Sequence, residues 1–459
     1  MEERFRRRRA ELEAECHVPA DVFLETLERL KTFLEPFLVV FRRPEQRGHA
    51  LESIQGLCSG LERKNNESVA YLFGLDRKAI QHFIGEAVWD DSRLRTKLAT
   101  QIGQELGEPS GVIVFDPSAF PKKGSHSVGV ARQWCGRLGK IDNCQVGVYM
   151  AYATSKGHAL IDSELFLPKE WTRDRWRLKA TGVPKARWRH RTRHELCLEM
   201  LDRHGDQLPH QWITGDDEMG RSTDFRSELR DRDEQYLLAV PSNTLIRDLE
   251  APGPDYCGNG RPPKLRHWRA DRWQREQPRE NWNRIDVCDG EKGPIIVEAL
   301  CHRVASSKRG RINDAEEILV VIRSEDRDSK VTKTDYYLSN APHGTPLKDF
   351  CRVARAEHRI EECFHRAKGQ VGLADYEVRN WVGWQHHQTL SLIACWFLTQ
   401  ETRRAEKKDP GDDNQSSSTG DCFAAQNHLG IRFGQRSAAE NRTATATKSA
   451  RQALSLETT

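Results

Sequence analysis

The 459-residue sequence predicts an α/β fold: a mixed sheet with flanking helices, a helical N-terminal module before it and a β-rich insertion within it. Three observations predict this. Apolar positions in residues 1–105 recur at three and four with no strand-like alternation. Three short strand patterns follow at hairpin distance, and after them helix and strand patterns alternate. At this length a main core with appended modules is expected.

In the N-terminal part, DVFLETLERLKTFLEPFL (21–38) carries the helical spacing. ESVAYLFGLDRKAIQHFIGEA (67–87) places Ala70, then Gly74, then a second amphipathic segment with Ile80, Phe83 and Ile84. A helix-turn-helix needs a small residue, a turn glycine and a following helix, and so does an ordinary helical hairpin in a bundle.

From residue 111 the texture changes. GVIVFD, SVGVARQWCG and QVGVYMAYAT read as neighbouring strands separated by glycine-rich turns. Next come a helix (HELCLEMLDRHG, 194–205), a strand (QWITGD, 211–216), a helix (DFRSELRDR) and a strand (YLLAV, 236–240). Three antiparallel strands followed by helix-strand-helix-strand is the order of an RNase H-like domain. That core is expected over 106–242 and 331–400, interrupted at 243–330 by an insertion with two antiparallel strands, PIIVEALCHRV and EEILVVIRS. Long helices are expected over 346–370 and in WQHHQTLSLIACWFLTQETRR. Residues 405–459 turn polar and low in complexity, which predicts disorder and is also what a shifted reading frame after about residue 408 would produce.

The formal net charge is only +4, so charge balance alone does not call for nucleic acid. The basic residues cluster, however, in RFRRRR, in FRRPEQR at 41, and in two runs that interleave Trp with Arg, 173–194 and 264–275. Such runs suit phosphate pairing with base stacking, or else form solvated faces and Arg–Glu pairs. Twelve cysteines without C-x-x-C or zinc spacing read as small buried residues of a reducing compartment. No stretch approaches the roughly 20 apolar residues of a membrane helix, so a cytoplasmic protein with no membrane partner is expected.

Three acidic residues stand out. Asp116 follows the apolar VIVF run, and Asp216 ends QWITGD, with Asp217 and Glu218 as neighbouring alternatives. Glu361 lies seven residues before Lys368 in HRIEECFHRAKGQVG, which puts a carboxylate and an ammonium on one helix face. Each also has a plainer reading, as a turn, a helix cap or a surface pair.

Taken together, FDPSAFPKKGSHSVGVARQWCG, DNCQVGVYMAYA, LPKEW, TGD, IEECFHRAKGQVGLADYEVR and GWQHHQTLSLIA resemble bacterial insertion-sequence transposases with a DDE endonuclease domain, in the cut-and-paste branch. The resemblance spans about residues 20–400. It implies Asp116, Asp216 and Glu361 as catalytic, metal-binding residues, and two ions, Mg²⁺ or Mn²⁺, held roughly 4 Å apart. Lys122, Lys123, Arg359 and Lys368 are then expected to contact DNA, and a homodimer on two DNA ends is implied. The branch signature of Tyr, two residues, Arg, three residues, Glu, six residues, Lys fits at Glu361 and Lys368. Its Tyr and Arg positions hold Ala354 and Glu357. That departure leaves Glu357 and Glu362 as stand-ins for the third ligand, and a catalytically impaired DNA-binding derivative as the alternative function.

Overall fold

The computed structural model describes residues 26–252, 266–290, 293–308, 311–325 and 332–408. The polar tail beyond 408 and the basic run at the N-terminus lie outside the described residues.

Among the described residues five helices come first: α1 (Thr26–Leu38), α2 (Pro44–Cys58), α3 (Asn66–Phe73), α4 (Arg77–Gly85) and α5 (Asp91–Leu106). Helix α3 stops at Gly74, whose φ of 63° lies in the left-handed region that glycine adopts without penalty, and Asp76 caps α4. The 67–87 segment is therefore a short helix, a tight turn and a second helix. On α4, Ile80, Phe83 and Ile84 face inward while Arg77, Lys78, Gln81 and His82 face water.

The sheet begins with β1 (Val112–Pro121), β2 (Ala131–Cys135), β3 (Lys140–Thr154) and β4 (Gly157–Leu165). After α6 (Arg193–His204) come β5 (Trp212–Gly215), α7 (Thr223–Arg230) and β6 (Tyr236–Val240). Across the sheet these strands lie in the order β4-β3-β1-β5-β6, with β2 sharing the outer edge of β3. The β4-β3-β1 part is antiparallel, and β5 and β6 run parallel to β1. This is the expected RNase H-like arrangement.

One strand of it, β4, is absent from the sequence reading. Its IDSEL stretch buries Asp162, Ser163 and Glu164, so it lacks the alternation that marks a half-buried strand. The carboxylates survive burial because cations come to them. Arg95 of α5 lies 3.2 Å from Asp162, and Arg203 reaches Asp162 and Glu164 at 2.6 and 2.7 Å. His204 meets Asp162 at 3.0 Å and Arg187 meets Glu164 at 2.7 Å. With these cations around it, Asp162 is held well below the usual carboxylate range despite its burial.

The insertion, with the strand that follows it, extends the same sheet. Strands β7 (Leu245–Asp248), β8 (Trp268–Arg269), β9 (Asn283–Gly290), β10 (Gly293–Lys308), β11 (Arg311–Glu325) and β12 (Thr332–Ser339) continue beyond β6, because β12 pairs with both β6 and β11. A second apolar cluster with Trp273, Leu300, Leu319 and Leu338 forms there. Buried Glu317 of β11 ties it to the core through Arg226 at 2.7 Å and the Tyr236 hydroxyl at 2.7 Å.

Two long helices close the fold, α8 (Leu347–Gln370) and α9 (Trp381–Lys408). Helix α8 lies against β1, β5 and β6 and continues to β9 and β10. Helix α9 packs on α2, α4 and α5, with Phe397 against Phe33 at 5.3 Å and Trp89 stacked on His386 at 3.4 Å. The N-terminal helices thus share one hydrophobic core with the sheet.

The Trp-bearing run 173–194 is divided: Trp176 is 77% exposed and Arg173, Arg175 and Lys179 beside it also face water, while several later arginines turn inward. Arg187 pairs with Glu164 and Glu199, Arg191 with Glu199 and Arg193 with Glu218, and the Trp188 indole donates to Val183 O at 2.8 Å. These are the Arg–Glu pairs of the plainer reading. In the second run, Arg266 lies over the Trp268 ring at 3.3 Å and the Trp273 indole donates to Asp248 at 2.9 Å.

Candidate active site

Strands β1 and β5 run parallel and in register from Val112 opposite Trp212 to Phe115 opposite Gly215. The next residue on each is an aspartate. Position 215 has no room for a side chain: a Cβ would fall 2.8 Å from the Phe115 carbonyl oxygen and 2.9 Å from Met219 Cγ. Glycine therefore lets β5 stay against β1 to its last residue, which brings Asp216 beside Asp116.

Asp116 does not end its strand, as the run of apolar residues suggests. β1 continues five residues further, to Pro121, paired only with β3. Having a partner on one side only is the setting in which a strand tolerates a proline such as Pro117. Asp216 caps the short helix Asp217–Gly220, and its Oδ1 accepts from the backbone N–H of Glu218 and Met219, both at 3.1 Å. Burial raises its carboxyl to about 6. Asp116 rises well above the usual carboxylate range, first from burial, then from the charges of Asp216, Glu357 and Glu361.

Helix α8 supplies the rest. At about 100° per residue, Glu357, Glu361, Phe364 and Lys368 fall on one face. Phe364 meets Tyr149, the β3 partner of Asp116, edge-on at 5.0 Å, which seats this face over the strand. The Lys368 ammonium donates to Ser118 Oγ at 2.7 Å, two residues along β1 from Asp116. Burial lowers Lys368, and the charge of Asp116 offsets part of that.

The two glutamates differ. Glu357 lines a cleft of about 300 Å³ together with Asp216, Lys333, Asp335 and Tyr337, and burial followed by Asp216 raises its carboxyl to about 8. Glu361, one turn on, has a 76% exposed side chain with His358 Nδ1 at 3.8 Å. Among the described residues no three acidic, His or Cys side chains already stand close enough to share one ion. The donor set nonetheless suits a hard divalent cation: oxygen ligands from three elements, with more negative charge than Lys368 offsets.

The remaining predicted residues lie elsewhere. Lys122 is six residues from Asp116, about 20 Å along the strand. Its ammonium sits 3.6 Å over the Tyr376 ring and donates to Tyr376 O at 3.2 Å, and burial lowers it to about 8. Lys123 is exposed. Arg359 lies on the opposite face of α8 from Glu357 and pairs with Glu362 at 2.9 Å. Glu362 also faces His158 at 3.3 Å, away from the aspartates. Sequence reasoning did not reach Lys333 or Asp335, which the β12–β6 pairing carries to the cleft.

Comparison with known proteins identifies the family. The profile of the DDE superfamily endonucleases matches residues 36–294, more than half of the chain, including Asp116 and Asp216 and ending before α8. A probable transposase for insertion sequence element IS701 from Microchaete diplosiphon is 29% identical over 199 residues, 42% of this chain. The match spans about half (49%) of that relative's length. The aspartates at the divergence of β1 and β5 thus sit within the matched domain, and the chain belongs to the DDE superfamily of endonucleases.

Proposed function

We propose that this protein is an insertion-sequence transposase that cuts element ends and joins them to target DNA. What supports this reading is the adjacency of Asp116 and Asp216 at one end of the β1–β5 pair, with the α8 carboxylates near enough to act on Asp116 electrostatically and Lys368 held at Ser118. Asp116, Asp216 and Glu361 would hold two divalent cations, Mg²⁺ or Mn²⁺. Bound there, they would supply activation of the attacking water or 3′-hydroxyl and neutralisation of the leaving oxygen.

The chain's own residues do the rest. Glu361, open to solvent, would swing toward the aspartates when DNA arrives, and Glu357, raised to about 8 at the cleft wall, would ionise once cations enter. Lys368, held by Ser118, presents its ammonium to a phosphate oxygen next to Asp116. The exposed face of α4, with Arg77, Lys78 and Gln81, is suited to duplex DNA, and Lys123 to backbone phosphate. Joining two ends calls for a homodimer.

The test uses the purified chain, Mg²⁺, and duplexes carrying the inverted repeats that flank its gene. Nicking and joining by the wild type, both lost in Asp116→Asn, is the expected result. Binding without cleavage by either protein would make it a DNA-binding derivative, and nicking without joining would make it a nuclease.

A further inference from the structure

The β2–β3 hairpin presents apolar side chains to water at its tip. Trp134 on β2 is 57% exposed and lies directly opposite Ile141 on β3, itself 59% exposed. Leu138, in the turn between them, is 43% exposed. Exposing a tryptophan and two aliphatic side chains together at a hairpin tip forgoes their burial, so the arrangement calls for a partner.

The surroundings narrow what that partner is. Arg132 shares the face of Trp134, and Arg137 and Lys140 stand exposed in the tip itself. Lys140 meets Asp142 at 3.1 Å, the acidic residue of the hairpin. An aromatic and aliphatic tip ringed by cations matches the makeup of surfaces on which unpaired bases stack while their phosphates are neutralised.

Position supplies the second argument. The turn Gly136–Leu138 touches β1. Cys135 and Arg137 are among the groups acting electrostatically on Lys368, whose ammonium rests on Ser118 beside Asp116. The hairpin is also firmly based. Cys135, Cys144 and Val146 form a buried cluster beneath the tip, and the Gln133 side chain donates to Cys144 O at 2.9 Å.

We propose that the tip of the β2–β3 hairpin is a wedge: Trp134, with Leu138 and Ile141, stacks on unpaired bases next to the phosphodiester being cut, while Arg132, Arg137 and Lys140 hold the flanking phosphates. This rests on the transposase reading above and adds to it a preference for DNA that is opened at the cleavage point.

The test measures binding by the full chain in Ca²⁺, with inverted-repeat duplexes from the gene's flanks either fully paired or carrying a few unpaired bases at the cutting end. The wild type should bind the frayed probe about ten-fold more tightly than the paired one. Trp134→Ala combined with Leu138→Ser should erase that margin, and Trp134→Phe should keep most of it. An equal margin in the double variant, or none in the wild type, overturns the wedge. A double variant that changes oligomeric state but keeps its DNA preference also overturns it, and makes the tip a protein contact. Should Asp116→Asn cut like wild type while the margin still depends on Trp134, the wedge stands and the assignment of the catalytic centre falls.

Discussion

Asp116 and Asp216 are the first residues past the last register pair of two parallel strands, Phe115 opposite Gly215. Folding alone therefore forces two carboxylates together, and each is pushed toward its protonated form. Replacing either by Asn should remove cleavage by roughly 10³-fold or more. In metal-free buffer the same changes should stabilise the fold by about 1 kcal/mol, since a partly buried, mutually repelling charge is removed. Melting curves without metal check this. A lowered melting temperature for both variants would mean that the carboxylates are structural acceptors and not a strained cation site.

Glu361 and Glu357 lie on the same face of α8, one exposed and the other at the cleft wall. On the proposed assignment of Glu361 as third ligand, Glu361→Gln should abolish cleavage, whereas Glu357→Gln should cost about ten-fold and leave nicking measurable. Lys368→Ala should weaken cleavage more than Lys368→Arg, because Arg restores the cation near Ser118. The reverse ranking of the two glutamates would transfer the third ligand to Glu357.

How much of this could be read beforehand differs by element. YLLAV and α9 were legible as continuous apolar runs, and α8 because its apolar residues follow the helical period. β4 was hidden because Arg95, Arg187 and Arg203 reach across from helices and a loop to pay for its buried acids, and pairing across the fold leaves no local signal. Asp116 and Asp216 could be named from their place after apolar runs. Their adjacency depends on parallel register, and the fit of Gly215 depends on the Met219 turn, neither of which is periodic. Lys122 misled for the opposite reason. It sits two positions from a conspicuous turn, but strand β1 carries it some 20 Å from Asp116 and onto Tyr376.

Lys122 and Lys123, adjacent in sequence, should therefore separate experimentally. Lys122→Ala should lower stability by about 1–2 kcal/mol through the lost ring contact and the Tyr376 carbonyl left without its donor. Lys123→Ala should leave stability alone and weaken DNA binding uniformly across sequences, with the salt dependence of log K reduced by about one phosphate contact. Equal effects of both on DNA affinity would restore Lys122 as a phosphate ligand.

Arg95 joins the N-terminal helices to the sheet by pairing with Asp91 at 2.6 Å and Asp162 at 3.2 Å, and by donating to Ser163 O and Gln385 at 3.0 Å. Removing one partner of such a buried network strands the others, so Arg95→Ala should cost about 3–5 kcal/mol. Because the helices and sheet share one core, the loss should appear as a single shifted unfolding transition by both circular dichroism and tryptophan fluorescence. Two separated transitions would show that residues 26–106 fold as an independent unit.

His386 and His387 sit side by side in α9, both buried and both neutral. His386 Nδ1 donates to Ile84 O at 2.9 Å beneath the Trp89 ring, and His387 Nε2 donates to Gly372 O at 2.9 Å. Burial lowers the first to about 3 and the second to about 4; Asp375 and Lys122 act on His387 with opposite sign. Their folded values lie below the unfolded value near 6.5, so their stabilisation is complete above about pH 6.5. As pH falls from there toward about 4, the unfolded chain takes up protons that the folded chain refuses, and stability drops. Asp162 acts lower, since its depressed carboxyl keeps contributing until pH falls below the ordinary aspartate range. Between about pH 7.5 and about pH 4.5 these two histidines should therefore contribute a fall in stability of a few kcal/mol, read from melting temperatures and opposed by the raised carboxyls of Asp116, Asp216 and Glu357, which gain as pH drops. His386→Gln and His387→Gln, though less stable at neutral pH, should each show a shallower fall. A slope unchanged in both variants would place the acid sensitivity in other groups.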